Sequence, residues 1–345
     1  MSILASEAEL VAQPARRRGW QAELARAVRD ASELCRLLDL PREVEATARR
    51  ATGDFPIFAP LGYVARMRPR DTSDPLLRQV LPLDDELAQV PGFDADPVQD
   101  LSSVRARGLL QKYRGRALMV TTGACAVHCR YCFRRHFPYS SAPKSVDDWA
   151  EALAHIAADA SIHEVILSGG DPLTLVDGTL AELARRLASI AHLRRLRIHT
   201  RLPIVLEERV DDALLAWLAE SRLRPIMVVH ANHPNELNEP VARALARLAE
   251  ARVLLLNQAV LLAGVNDTAD SLAELSERLL DMGVTPYYLH QLDRVAGAAH
   301  FEVDEARGLA IVDELRRRLP GYAVPRYVRE VAGEGSKIEI RGPVG

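Results

Sequence analysis

The chain has 345 residues, 48% of them hydrophobic and 26% charged, enough to bury a large core as one α/β barrel or as two domains. Its formal net charge of -3 gives no ground for expecting general nucleic-acid or acidic-membrane binding, and Arg16, Arg17 and Arg18 read as a solvated run flanking a helix. No secretory signal opens the sequence, and its most apolar stretch, Val253–Val265, is interrupted by Asn257 and Gln258 and is shorter than the roughly 20 residues a bilayer requires.

In chain order, residues 1–116 form an N-terminal extension. Apolar positions recur at helical spacing from Gln21 to Leu38, and Pro41 starts a second helical stretch reaching Arg50. Cys35 lies in the first of these and reads as a small core residue. Phe55–Pro97 is Pro-rich without a sustained period and predicts irregular structure laid on a larger body. Residues 117–319 then alternate β-rich runs with amphipathic helices. The strands are predicted at Ala117–Thr121, Glu164–Ser168, Leu196–Thr200, Ile226–His230, Val253–Val260 and Val284–Leu289. Helices are predicted at Val146–Ala160, Thr179–Ile190, Asp211–Glu220, Glu236–Ala251, Ala269–Met282 and Asp304–Leu319. Apolar strands separated by helices imply a parallel sheet with right-handed crossovers. Six βα units are fewer than the eight that close a TIM barrel, so a partial, curved (βα)6 barrel is expected. Residues 320–345 form a C-terminal segment.

Chemistry in such folds gathers at the carboxyl ends of the strands. Polar residues stand at each of them: the cysteines after the first strand, Ser168-Gly169-Gly170-Asp171, His199-Thr200-Arg201, His230, Gln258, and His290-Gln291-Leu292-Asp293. Cys125, Cys129 and Cys132 have the spacing CxxxCxxC in one loop. Four cysteines with three in one cluster suit a metal site in a reducing cytoplasm better than a disulfide framework. Three thiolates can hold an iron-sulfur cluster and leave one iron open, whereas structural zinc would want a fourth ligand, for which His128 and His136 are available.

With this spacing, Tyr131 between the last two cysteines and the glycine-rich strand end one unit later, the chain resembles the radical S-adenosylmethionine superfamily. The resemblance implies a 4Fe–4S cluster on Cys125, Cys129 and Cys132, with S-adenosylmethionine bound to the open iron and its amino group met by the Ser168–Asp171 motif. Over roughly residues 50 to 340 the chain is similar to lysine 2,3-aminomutases, especially the shorter branch that makes β-lysine for modifying elongation factor P. The matching stretches include Phe133-Arg134-Arg135, Asp171-Pro172-Leu173, His230 to Glu236, Asn257-Gln258, Tyr287 to Asp293, and Gly333-Glu334-Gly335-Ser336-Lys337.

The resemblance implies that Lys337 forms the Schiff base with pyridoxal 5'-phosphate and that Lys112, Tyr113 and Arg116 help to hold that cofactor. His230 and Gln258 join the cofactor-binding set. Arg134 would grip the carboxylate of L-lysine, and Asp293 and Glu330 would receive its distal ammonium. Nitrogen would then migrate from Cα to Cβ by a radical path, with flavodoxin or ferredoxin as reductant. The second acid is Glu330 where the longer enzymes carry aspartate. Those enzymes also bind structural zinc beyond the Schiff-base lysine; with Thr268 at a place where a zinc cysteine could stand and the sequence stopping at Gly345, such zinc is not expected. Two other classes stay open on the residues alone: another radical enzyme, such as an aminomutase for a different amino acid, and a non-enzymatic iron-sulfur redox protein.

Overall fold

The computed structural model describes residues 19–53, 55–139, 143 and 145–342, so Arg16, Arg17 and Arg18 lie outside the described residues. Ten strands form one sheet in chain order: β1 (Val104–Ala106), β2 (Leu109–Leu110), β3 (Arg116–Thr122), β4 (Glu164–Gly169), β5 (Arg195–Thr200), β6 (Arg224–Val229), β7 (Leu254–Val260), β8 (Thr285–His290), β9 (Arg326–Arg329) and β10 (Ile338–Glu339). The six predicted strands are β3 to β8, paired in parallel throughout. Their helix-facing residues, among them Met119, Leu167, Ile198, Met227, Leu255 and Leu289, are buried in the core, while alternate positions such as Leu118, Ile166, Arg197, His199, Gln258 and Tyr288 face the barrel interior. Linear order, with β1 and β10 at opposite ends, leaves the barrel open.

The parallel run has a seventh member beyond the six expected, because β9 pairs in parallel with β8 and then turns into the antiparallel β10. At the other end β1 and β2 fold back antiparallel on β3. Helices cover the outer face, and those after β5 to β8 that start at Asp212, Glu239, Ala269 and Glu305 are each begun by a polar cap. Asp211 accepts from Leu214 N at 2.9 Å, and Asn238 from Val241 N at 3.1 Å. The Thr268 hydroxyl accepts from Ser271 N at 3.2 Å, so this position starts a helix. No helix among the described residues is long and apolar enough to cross a membrane.

The helical stretch predicted over Gln21–Leu38 is two helices, Trp20–Ala25 and Ala31–Leu37. Val28 breaks it by pairing its backbone with Ala59, and Asp30 restarts it by capping Glu33 N at 3.0 Å. Cys35 is buried as expected, and burial pushes its thiol up to about 11. Phe55–Pro97 is largely irregular, with one short helix, Leu61–Val64, and two 3-10 turns, Leu77–Gln79 and Asp84–Leu87. Val28, Leu34, Tyr63, Leu76 and Leu77 of the extension share one core with Val165, Leu196 and Leu245 of the barrel. That shared burial seats the extension against the barrel's rim.

Candidate active site

The cysteine loop leaves β3 at Thr122 and runs directly under the end of β4. Gly170 N donates to Thr122 O at 2.8 Å and Asp171 N to Ala124 O at 2.7 Å, so the two strand ends are stitched by backbone. A side chain at Gly170 would collide with the Ala124 carbonyl, and Gly169 has a φ of 125°, closed to most L-residues. The glycines therefore permit close approach of the loop. The Asp171 carboxylate accepts from Thr200 Oγ1 (2.7 Å), Arg201 N (2.7 Å) and Leu173 N (3.0 Å), and ties the ends of β4 and β5 together.

The extension clasps this loop from outside. Arg130, fully buried, gives a fork of hydrogen bonds to Glu86 at 2.8 and 2.6 Å, and Arg135 reaches the same carboxylate at 2.9 Å. Phe55 lies 4.8 Å from each of the two guanidinium carbons and stacks on His128 at 5.1 Å. Backbone bonds from His128 N to Phe58 O (2.9 Å) and from Arg130 N to Gln79 O (2.9 Å) complete the grip. His128, available to zinc on sequence grounds, has Nδ1 2.8 Å from Pro56 O, and His136 has Nε2 3.1 Å from Ala296 O.

Cys125, Cys129 and Cys132 line one cavity of about 310 Å³ together with every other residue assigned to the site from sequence. Among the described residues no three His, Cys, Asp or Glu side chains converge on a point for a single metal ion. A 4Fe–4S cluster takes each thiolate on a different iron, so sulfurs spread along a wall suit it. Burial, reinforced by the neighbouring sulfurs, pushes Cys132 up to about 11 and Cys125 well above the usual thiol range, so loading a metal group must expel protons.

Across the cavity stand the remaining groups. Glu330 follows β9 and Lys337 precedes β10, and the hairpin brings Lys337 Nζ to 2.8 Å from Glu330 Oε2. Tyr113 donates its hydroxyl to Glu330 at 2.5 Å, and the Arg116 guanidinium lies 4.4 Å over the Tyr113 ring. Lys112 bonds Asp100 at 2.8 Å and the Val98 carbonyl at 2.7 Å. Arg134 is aimed by Asp100 at 2.7 Å and donates to Ser168 Oγ at 3.1 Å. Burial opposes ionisation of Glu330, but Lys337, Tyr113 and Lys112 hold its carboxyl below the usual range. Asp293 differs: burial pushes it up to about 7 despite Lys337 nearby.

Four cavity-lining residues on or just after four adjacent strands have buried polar atoms without a partner among the described residues: His199 Nε2, His230 Nε2, Gln258 Oε1 and His290 Nε2. Burial holds all three imidazoles neutral, His230 down to about 4. Sequence reading saw His199, His290 and Arg201 only as rim polar residues. It missed Asp100, whose aspartate in an irregular stretch carries no motif.

Fold and site define a radical S-adenosylmethionine protein, and the Radical SAM superfamily model matches residues 119–276. The L-lysine 2,3-aminomutase of Escherichia coli is 47% identical over 94% of this chain and 95% of its own length. That of Haemophilus influenzae is 44% identical over 92% of this chain and 94% of its own. A radical SAM methyltransferase structure from Sphaerobacter thermophilus aligns at 18% identity and a TM-score of 0.45, over 64% of this chain and 68% of that one. The chain belongs to the L-lysine 2,3-aminomutase family, in the group that contains the Escherichia coli protein. Membership implies a 4Fe–4S cluster, S-adenosylmethionine and pyridoxal 5'-phosphate. The residues fit them. Three free thiols on one loop would hold the cluster, His and Gln atoms that lack partners among the described residues could meet a ligand's hydrogen-bonding groups, and a partly exposed lysine lines the same cavity as Lys112 and Arg116.

Proposed function

We propose that the chain converts L-lysine to β-lysine by radical 1,2-amino migration. The observation that carries this is the single cavity lined by the cysteine triplet on one side and by Lys337, Glu330 and Asp293 on the other. Cys125, Cys129 and Cys132 would hold the cluster; His230, Gln258 and the backbone of the Ser168–Asp171 turn would hold S-adenosylmethionine. Lys337 would carry pyridoxal phosphate, with Lys112, Tyr113 and Arg116 beside it. When bound, the cluster and S-adenosylmethionine supply a hydrogen-abstracting radical, and pyridoxal phosphate supplies the conjugated system across which nitrogen moves.

The protein's own share is positioning. Arg134, held in its direction by Asp100, offers a planar fork for the substrate carboxylate. The acids at the far end select a distal cation, so the two ends measure substrate length. The walls exclude water from a radical reaction. A flavodoxin- or ferredoxin-type donor in the cytoplasm and use of the product on elongation factor P belong to the same proposal, supported by likeness to the shorter enzymes.

The test is an anaerobic assay of the reconstituted holoenzyme with dithionite, S-adenosylmethionine and either L-lysine or norleucine. One charged hydrogen bond lost to norleucine costs about 1.5–3 kcal/mol, so turnover should fall at least about tenfold. Equal turnover of the two amino acids, or no β-lysine from a cluster-replete enzyme, refutes the proposal.

A further inference from the structure

Arg201 follows β5 and is buried, yet nothing in the proposed reaction uses it. Its Nη1 donates to Cys129 Sγ at 2.8 Å and to Tyr131 Oη at 2.9 Å. Its Nη2 is fixed by Gln79 Oε1 at 2.6 Å, Glu236 Oε2 at 2.8 Å and Tyr63 Oη at 3.2 Å. The backbone N of the same residue donates to Asp171 at 2.7 Å. Main chain and guanidinium are thus both anchored, and the side chain cannot swing away from the sulfur. Its Nε is buried with no acceptor among the described residues.

This is costly for a merely structural arginine. Glu236 balances one positive charge, but Glu236 is itself occupied by Asn232 N at 2.9 Å and His233 N at 3.1 Å. Simple charge balance would be met without the contact to sulfur. A cationic donor on a cluster ligand has one electrochemical effect. Reduction adds an electron to the cluster and its thiolates, and a fixed positive donor stabilises the added negative charge.

We propose that Arg201 is a positioning residue that raises the reduction potential of the 4Fe–4S cluster through its hydrogen bond to Cys129. The step concerned is one-electron: an external low-potential donor gives one electron to the oxidised cluster, no bond breaks, and the guanidinium keeps its protons. Tyr63 and Gln79 place the donor, so the extension takes part in the electrochemistry of the barrel. The proposal rests on Cys129 being a cluster ligand, which iron analysis of Cys129→Ala tests separately.

The experiment uses the reconstituted full chain without substrate. Midpoint potentials are read by EPR during a mediated dithionite titration, normalised to bound iron, for wild type, Arg201→Lys, Arg201→Met and Arg201→Gln. The neutral variants should keep their iron and titrate at more negative potential, while Arg201→Lys stays near wild type. Unchanged potentials at full iron in the neutral variants overturn the proposal. If the neutral variants lose iron and Arg201→Lys keeps it, the residue serves to hold the cluster and not to set its potential, and the proposal is overturned. Equal loss of iron from all three assigns Arg201 to packing and overturns it.

Discussion

At the scale of single residues, the two acids assigned to the substrate's distal ammonium are in different states. Glu330 is ionised and already engaged by Lys337 and Tyr113, whereas Asp293 sits in a cavity wall that pushes it up to about 7. After burial, the groups facing Asp293 are Lys337 and Lys112, which lower it, and Glu330 and Asp100, which raise it. An ammonium binds the carboxylate and not the acid. Below pH 7 a growing fraction of Asp293 is protonated, so kcat/KM for lysine should rise from pH 6 to pH 8 with a midpoint near 7. Asp293→Asn should lower kcat/KM severely and remove that rise. A pH profile of the same shape in Asp293→Asn would assign the titration to another group. None of this difference was legible in the sequence, where both positions are simply acids; it follows from which cations the fold brings to each.

At the scale of elements, β3 to β8 were readable because short β-rich runs, each with at least one apolar face, are separated by helical periods. β9 was not. Arg326-Tyr327-Val328-Arg329 is four residues with charged ends, and its pairing with β8 and β10 makes it a strand. The extension was legible as irregular and no further, since its work is done by contacts between distant positions, such as Glu86 with Arg130 and Arg135. That carboxylate is buried between two buried guanidiniums. Removing one partner from such a group leaves an uncompensated charge, at a cost of about 3–5 kcal/mol. Glu86→Gln should therefore lower the thermal midpoint by several degrees and speed iron loss to a chelator, because the cysteine loop loses its outer clamp. Calorimetry and chelator kinetics on the reconstituted protein measure both. Iron retention equal to wild type at a lowered midpoint would show that the loop holds its shape without the Glu86 clamp, through its backbone bonds to the extension and to β4.

At the scale of the whole molecule, the open sheet divides the chemistry between its two ends. The cysteine loop and glycine turn belong to β3, β4 and β5, and the hairpin of β9 and β10 brings Glu330 and Lys337 from the far edge. The hairpin is anchored by register, with Ile338 opposite Arg329, and by Gln291 N donating to Val328 O at 2.8 Å. Lys337 Nζ lies 5.9 Å from the centre of the Tyr288 ring on β8, inside the shared cavity. The cysteine spacing was legible without any structure, while Lys337 gained its meaning from a match, since Gly-Glu-Gly-Ser-Lys by itself reads as a flexible loop. The sequence holds three lysines, Lys112, Lys144 and Lys337, so borohydride trapping of pyridoxal phosphate has few possible targets. Lys112 is held by Asp100 and the Val98 carbonyl and Lys337 by Glu330, so both cavity amines are paired and the trapping experiment decides between them. Because among the described residues the hairpin makes no backbone pairing with the cysteine loop or the β4 turn, Lys337→Ala should keep full iron and bind S-adenosylmethionine as wild type does. It should yield no reduced pyridoxyl adduct on peptide mapping. An adduct recovered on Lys112 in the variant and in wild type would move the cofactor's attachment to the other side of the cavity; loss of iron in Lys337→Ala would show instead that the two ends of the sheet do not act independently.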